Sequence, residues 1–280
     1  MRSRFLAPSV FALAAVALAA SAASSLPASA QQDGFGLSEM EKRSARPEGV
    51  ALESWKENLL PSGCPDNPYE LAAEYPQNLD DGGPVDKAVK ARAEALFGKA
   101  KEKARNYLET VNPCAAPKGS LYTRISAAPF KASPKAFSVL FGSDEFQGGA
   151  HGEYSYASVN LAADGGELTL DELFADPKKS SPLLWGLMYR GYCSAKADRK
   201  YMPYFFKDVA CGRHNPPGAP RQMSRPKAGL DAAGHMTLNS LGLTVHLSAD
   251  EGYARYEGFQ LLDITKEELI GIGADPELWK

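Results

Sequence analysis

Between residues 84 and 110 apolar side chains recur at helical spacing, in PVDKAVKARAEALFGKAKEKARNYLET. Val85, Val89, Leu96, Ala100, Ala104, Tyr107 and Leu108 share one face, and lysines and arginines fill the rest. Pro84 suits the first turn and Pro113 lies beyond the end, so one long amphipathic helix is expected over 84–110, with a solvated charged face. From Leu121 the period changes to two. Phe137, Val139 and Phe141 alternate with small or polar residues; Ser155, Ala157, Val159 and Leu161 alternate with Tyr154, Tyr156, Ser158 and Asn160. These are two strands facing a shared core. Near the C-terminus Met236, Leu238, Leu243, Val245 and Leu247 alternate around Asn-Ser-Leu-Gly, a hairpin signal. Pairing Leu238 with Leu243 sets His235 opposite His246 on the polar, exposed side of that hairpin.

Two capping boxes mark strand-to-helix transitions: Thr169 with Glu172, stapled by Leu168 and Leu173, and Thr265 with Glu268, stapled by Ile264 and Leu269. Residues 182–211 read as helical with a break near Gly186 and Gly191, and Trp185, Tyr189 and Tyr192 belong to the core. Residues 61–84 are dense in Pro, Gly, Asp and Asn, a loop region with a short strand or helical turn around Tyr69 to Tyr75. Residues 31–50 are polar and aperiodic, a flexible leader, so ordered structure is expected from near Leu52. The sum is an α+β fold of two sub-domains, residues 51–119 and 120–280, with helices packed on antiparallel sheet and loops pinned by disulfides.

Residues 1–30 place Arg2 and Arg4 before an Ala-rich apolar stretch that ends in Ala28-Ser29-Ala30, the pattern of a cleaved secretory signal. A periplasmic or secreted location follows, with no membrane span once the signal is removed. The chain has 31 basic and 34 acidic residues; leaving out Arg2 and Arg4 gives 29 against 34, a mild acidic balance that offers nucleic acid no basic patch. The four cysteines, Cys64, Cys114, Cys193 and Cys211, all follow the signal, where thiols tend to pair. Three connectivities are possible. Cys64 with Cys114 and Cys193 with Cys211 is favoured, because each pair then closes within one half of the chain. A four-cysteine zinc site lacks any Cys-x-x-Cys pair.

The Gly-Gly-Ala-His-Gly run at 148–152 joins the two central strands. Gly148, Gly149 and Gly152 are expected to supply positive backbone dihedrals in a turn, and His151 to lock that turn or touch a ligand. Catalysis by His151 with a nearby carboxylate, in a small envelope hydrolase or carbohydrate-active enzyme, is the alternative. There is no Gly-x-Ser-x-Gly elbow, phosphate loop, dinucleotide fingerprint or His-Glu-x-x-His motif. Two cross-strand histidines make a weak metal site unless a carboxylate joins them, so no metal and no cofactor is expected.

The order of parts, SVLF…EFQGGAHGEYSYASVNLAADGGELTLDELF, a helical middle, then TLNSLGLTVHL…YARYEGFQLLDITKEEL, resembles the domain of unknown function 3298 family, the RsiV-like C-terminal domain of extracytoplasmic bacterial proteins. The resemblance covers about residues 120–272, and the 84–110 region with what precedes it is similar to the companion domain often found before it. It implies a binding module without an assigned activity, whose relatives include lysozyme-binding anti-sigma factors and modules attached to peptidoglycan deacetylases. A lysozyme-type protein or a cell-wall component is the implied partner. Glu153, Tyr154 and Tyr156 are the candidate contacts beside His151, since an acidic, aromatic surface complements a basic enzyme.

Overall fold

A glycine N-cap, Gly83, gives the long helix no side-chain cap, and Asp80 takes that role from three residues upstream. Its carboxylate accepts from the amides of Val85 (2.8 Å) and Asp86 (3.0 Å), while the Asp86 carboxylate reaches back to the amides of Leu79 and Gly82. The helix begins at Pro84 and ends at Thr110, as its period predicts. In this computed structural model the described residues are 37–148, 152–195, 236–247 and 260–280, without the side chains of 170–171, 189–195, 247 and 260.

Five strands form the larger sheet in the order of the chain: β1 (Ala51–Leu59), β2 (Tyr69–Gln77), β3 (Tyr122–Ser133), β4 (Ala136–Phe146) and β5 (Glu153–Ala162). A short helix α1 (Glu39–Arg43) precedes them, and α2 (Pro84–Thr110) links β2 to β3. All neighbours pair antiparallel except β2 and β3, which run parallel. The sheet is therefore mixed, where an antiparallel one was expected. The cause is the helix itself: a crossover through α2 brings the chain back in its original direction. The boundary expected at 119/120 is crossed by this sheet, since β2 on one side bonds β3 on the other.

One face of the sheet packs on α2, with Val85, Val89 and Ala93 against Tyr75, Val139, Phe141 and Val159. Strand β1 was not foreseen, because only Leu52, Trp55 and Leu59 break its polar run; Trp55 anchors it against Tyr75 at 4.5 Å between ring centroids and Phe97 at 5.9 Å. A smaller sheet is built from β6 (Met236–Asn239), β7 (Gly242–Leu247) and β8 (Gln260–Thr265). Its apolar face meets α3 (Pro177–Ala195) through Leu184, Trp185 and Met188, and α4 (Lys266–Gly271) follows β8 behind the Thr265–Glu268 capping box. The break expected in α3 is absent. The helix runs on through Gly186 and accommodates Pro182 as well, held by burial of its apolar stripe.

The hairpin pairs Leu238 with Leu243 as the alternation demands. Its polar face, however, is buried: Thr237, Asn239, Thr244 and His246 are all 0–1 % exposed. That face is covered by the larger sheet and by residues 37–46. Ser138 and Ser158 accept from the β6 amides of Leu238 (2.8 Å) and Met236 (3.0 Å), and Asn160 donates to the Met236 carbonyl (3.1 Å). Polar side chains of β4 and β5 thus satisfy the free edge of β6. Ordered structure also starts earlier than Leu52. Leu37, Met40 and Glu41 are buried, so the leader expected over 31–50 is a packed strap from Leu37 on.

Gly242 lies where β7 meets the end of β8. Its φ is +153°, and a Cβ there would fall on the carbonyl oxygen of Ile264 and within 2.9 Å of the Lys266 nitrogen. Both neighbours are backbone and cannot swing aside. Gly242→Ala is expected to cost about 2–3 kcal/mol, read as a lowered denaturant midpoint with an unchanged slope.

Candidate functional site

Where β4 and β5 approach their connecting turn, the face of the sheet away from α2 carries side chains that reach solvent. Register places Arg124, Asp144 and Tyr154 in a row across β3, β4 and β5, with Tyr122 opposite Phe146 beside them. Tyr122 and Phe146 stack with centroids 6.3 Å apart, and the Arg124 guanidinium lies 4.5 Å over the Tyr122 ring while bonding Glu70 at 3.2 Å. Tyr154 is 50 % exposed, one of the few large apolar-bodied side chains presented to solvent among the described residues. Burial raises the Asp144 carboxyl above its ordinary range, against the opposing pull of hydrogen bonds from Tyr122 and Tyr154 and the charge of Arg124. Burial, and then the charge of Asp144, likewise push the Tyr122 hydroxyl up.

The opposite face of the same strand ends borders a cleft of about 240 Å³ under α2. Leu96, Ala100, Phe141 and Ala157 form its apolar floor, and Lys103 and Glu145 its polar wall. Lys103 bridges two carboxylates, Glu145 at 2.8 Å and Glu153 at 3.2 Å. Burial opposes the lysine charge, but both glutamates hold its ammonium above the usual range. Behind it Glu145 is 8 % exposed and accepts from the Tyr69 hydroxyl at 3.4 Å, which pairs in turn with Thr123 at 2.8 Å. Among the described residues no cluster of three His, Cys, Asp or Glu side chains is placed to hold a metal ion, and no helix is long and apolar enough to cross a membrane.

The site residues expected from sequence part company here. Glu153 is exposed at the cleft rim and Tyr154 lies on the open face, as surface contacts would. Tyr156 is 6 % exposed and sits edge-on to the His246 ring at 5.3 Å, inside the seam between the two sheets. It cannot meet a partner directly, because the smaller sheet and the strap cover the face of β5 on which it stands. Gly148 has the positive φ expected of it, +74°, and a Cβ there would sit a tight 3.1 Å from the Tyr107 hydroxyl. Gly149 and His151 lie outside the described residues.

His246 is not an exposed histidine. Its Nε2 lies 2.7 Å from the Glu41 carboxylate, and both side chains are fully buried. The opposed position of His235 lies outside the described residues. Cys64 and Cys114 form the expected disulfide, Cα atoms 5.6 Å apart. The Cys193 side chain and Cys211 are outside the described residues. What sequence reasoning missed is the row formed by Tyr122, Arg124, Asp144 and Phe146: the alternation of β3 was legible, but which of its residues meet β5 depends on register.

No protein-family profile and no curated protein matches this chain. Solved structures do. A DUF3298 family protein from Pseudomonas aeruginosa PAO1 superposes with a TM-score of 0.54 at 16 % identity, over 83 % of this chain and 98 % of that one. A member of the same family from Bacteroides fragilis gives 0.53 at 14 % identity, over 84 % and 98 %. This chain therefore has the fold of DUF3298 family proteins.

Proposed function

We propose that this protein is an exported, non-catalytic binding protein of the cell envelope, and that the open end of the β3–β5 strands meets a basic, lysozyme-type protein or a peptidoglycan-related ligand. The observation that carries the reading is the half-exposed Tyr154 set among Tyr122, Phe146 and Asp144. Aromatic side chains with a polar tip are the commonest energetic anchors of protein interfaces. On that open face Glu70 and Asp144 outnumber Arg124, so it favours a cationic partner. The likeness to DUF3298 structures fits a binding module and brings no activity with it.

One observation favours the enzymatic alternative: the raised carboxyl of Asp144, close in sequence to His151, is the kind of group a hydrolase uses as an acid. Turnover of peptidoglycan by the purified protein, lost in Asp144→Asn, would replace the binding reading.

Residues 31–280 are to be titrated against a lysozyme panel and against insoluble peptidoglycan. Saturable binding is expected, weakening about tenfold or more in Tyr154→Ala and falling with added salt. Tyr156→Ala serves as the contrast: it acts by loosening the fold, so its affinity loss should track its loss of melting temperature. Absence of saturable binding to either ligand would sink the proposal.

A further inference from the structure

The strap that crosses both sheets is fixed by a carboxylate that never reaches water. Glu41 is 0 % exposed, and its Oε1 accepts from Thr237 on β6 (2.5 Å) and pairs with His246 on β7 (2.7 Å). Its Oε2 accepts from the Ser38 amide at 2.9 Å, and the Ser38 hydroxyl accepts from the Glu41 amide at 3.0 Å. The capping box of α1 therefore also aims the second oxygen of Glu41 at the hairpin. Around this centre the strap makes single contacts with several elements. Ser38 meets Thr244 at 3.3 Å, the Met40 amide donates to Asp263 on β8 at 3.3 Å, and the Ala45 amide donates to Ser240 at 2.7 Å. The Lys131 amide donates to the Ala45 carbonyl at 3.3 Å, and Arg46 lies 4.6 Å over the Phe130 ring.

Beneath the strap is an apolar surface. Leu37 packs with Ala128, Phe130, Leu140 and Tyr156, all on the face of the larger sheet away from α2. We propose that residues 37–46 are a detachable latch seated in a groove between the two sheets, that the groove recognises the Leu-Ser-x-Met-Glu segment through the charge on Glu41, and that acid frees it. The occupant is a named segment of this chain, and release bares Phe130 and Leu140 as a second surface, independent of what the Tyr154 face binds.

The physics favours opening here over opening elsewhere. Apart from the buried Leu37 and Met40, the strap is held by polar contacts, and these centre on one carboxylate. Protonating Glu41 takes away the charged acceptor on which Thr237, Ser38 and His246 converge and costs buried hydrogen bonds, whereas the sheets keep their own ladders and cores. The groups facing Glu41 are His246 from β7, Tyr156 from β5 and Arg46 from the strap, with Asp263 of β8 one residue contact away. Burial opposes ionisation of Glu41, yet the bonds from His246, Thr237 and Ser38 outweigh it and hold the carboxyl below its ordinary value of 4.5. A carboxyl depressed in the folded state contributes stability above its unfolded pKa and loses it as pH falls through the folded one. The latch therefore holds at neutral pH and weakens below the ordinary carboxylate range. Burial, and then the Glu41 charge, keep the Tyr156 hydroxyl above its usual range, so it stays neutral throughout.

Amide hydrogen exchange on residues 31–280, expressed as protection to remove the intrinsic pH dependence, reads the latch directly. The reporters are the amides of Met40, Glu41, Lys42 and Ala45, each bonded in the docked strap. In the wild type their protection should fall at least about tenfold between pH 7 and pH 3.5 while β4 amides keep theirs. Glu41→Gln, which keeps the shape and removes the charge, should show the low value at both pH values, and Glu41→Ala should lose about a hundredfold. Two results would overturn the proposal: strap protection in Glu41→Gln equal to wild type at pH 7, or strap and β4 protection falling together, which would mean that the fold opens as one unit.

Discussion

Replacing Cys64 and Cys114 together by serine is expected to destabilise the protein by about 4 kcal/mol, since the bridge closes a 50-residue separation and the chain-entropy cost of that loop has this size. For a chain of this length the loss corresponds to a melting temperature lower by about 8–16 °C. The bridge ties the loop before β2 to the turn after α2 and so closes the β2–α2 unit on itself. It does not act alone there. The Asn67 side chain donates to the carbonyls of Pro113 (2.9 Å) and Ala116 (3.2 Å) and accepts from the Gly119 amide (2.9 Å). The double serine variant should thus keep its fold, and adding Asn67→Ala should cost more than the sum of the separate losses, because each restraint covers for the other. Thermal melts of the three variants with and without reductant check this. A wild type whose melting point ignores reductant, in a sample where alkylation shows both thiols freed, would contradict it.

Phe141→Ala is expected to cost about 3–5 kcal/mol. The ring is 1 % exposed and stands where β4 meets the middle of α2, between Val139 and the cleft floor. Truncation loses the transfer energy of the ring and leaves a void that the adjoining cleft enlarges. Phe141→Leu, which fills most of that volume, should recover most of the loss. Chemical denaturation with an unchanged slope would assign the difference to packing; a loss under about 1 kcal/mol would mean that water already fills the site.

Much of this architecture could be read from the chain. The bounds of α2, the β4–β5 pair, the register of the β6–β7 hairpin and the Thr265 capping box all follow from patterns shorter than thirty residues. Distance in the sequence marks what could not be read. Tyr156 and His246 look like surface residues because their strands alternate polar and apolar, and nothing local says that a second layer covers the polar side. Glu41 looks like one more charge in a polar leader, although its partner is 205 residues away. The parallel pairing of β2 with β3 was missed for a related reason: strand periodicity carries no information on direction. The open face around Tyr154 was half legible. Tyr154 and Glu153 were picked out, while Tyr122, Asp144 and Phe146 join them only once three strands are in register.

The five strands of the larger sheet stand in the order in which they are made, so each finds its neighbour as soon as it is complete, and that sheet can grow as the chain lengthens. The strap cannot follow this schedule. Residues 37–46 are the first of the described residues to be synthesised, yet Thr237, Ser240, Thr244 and His246 come near the end. Until those arrive, Glu41 has no seat, and Leu37 has only the larger sheet to rest on. The earliest segment is then the last to dock, and its docking reports that every later element is already in place.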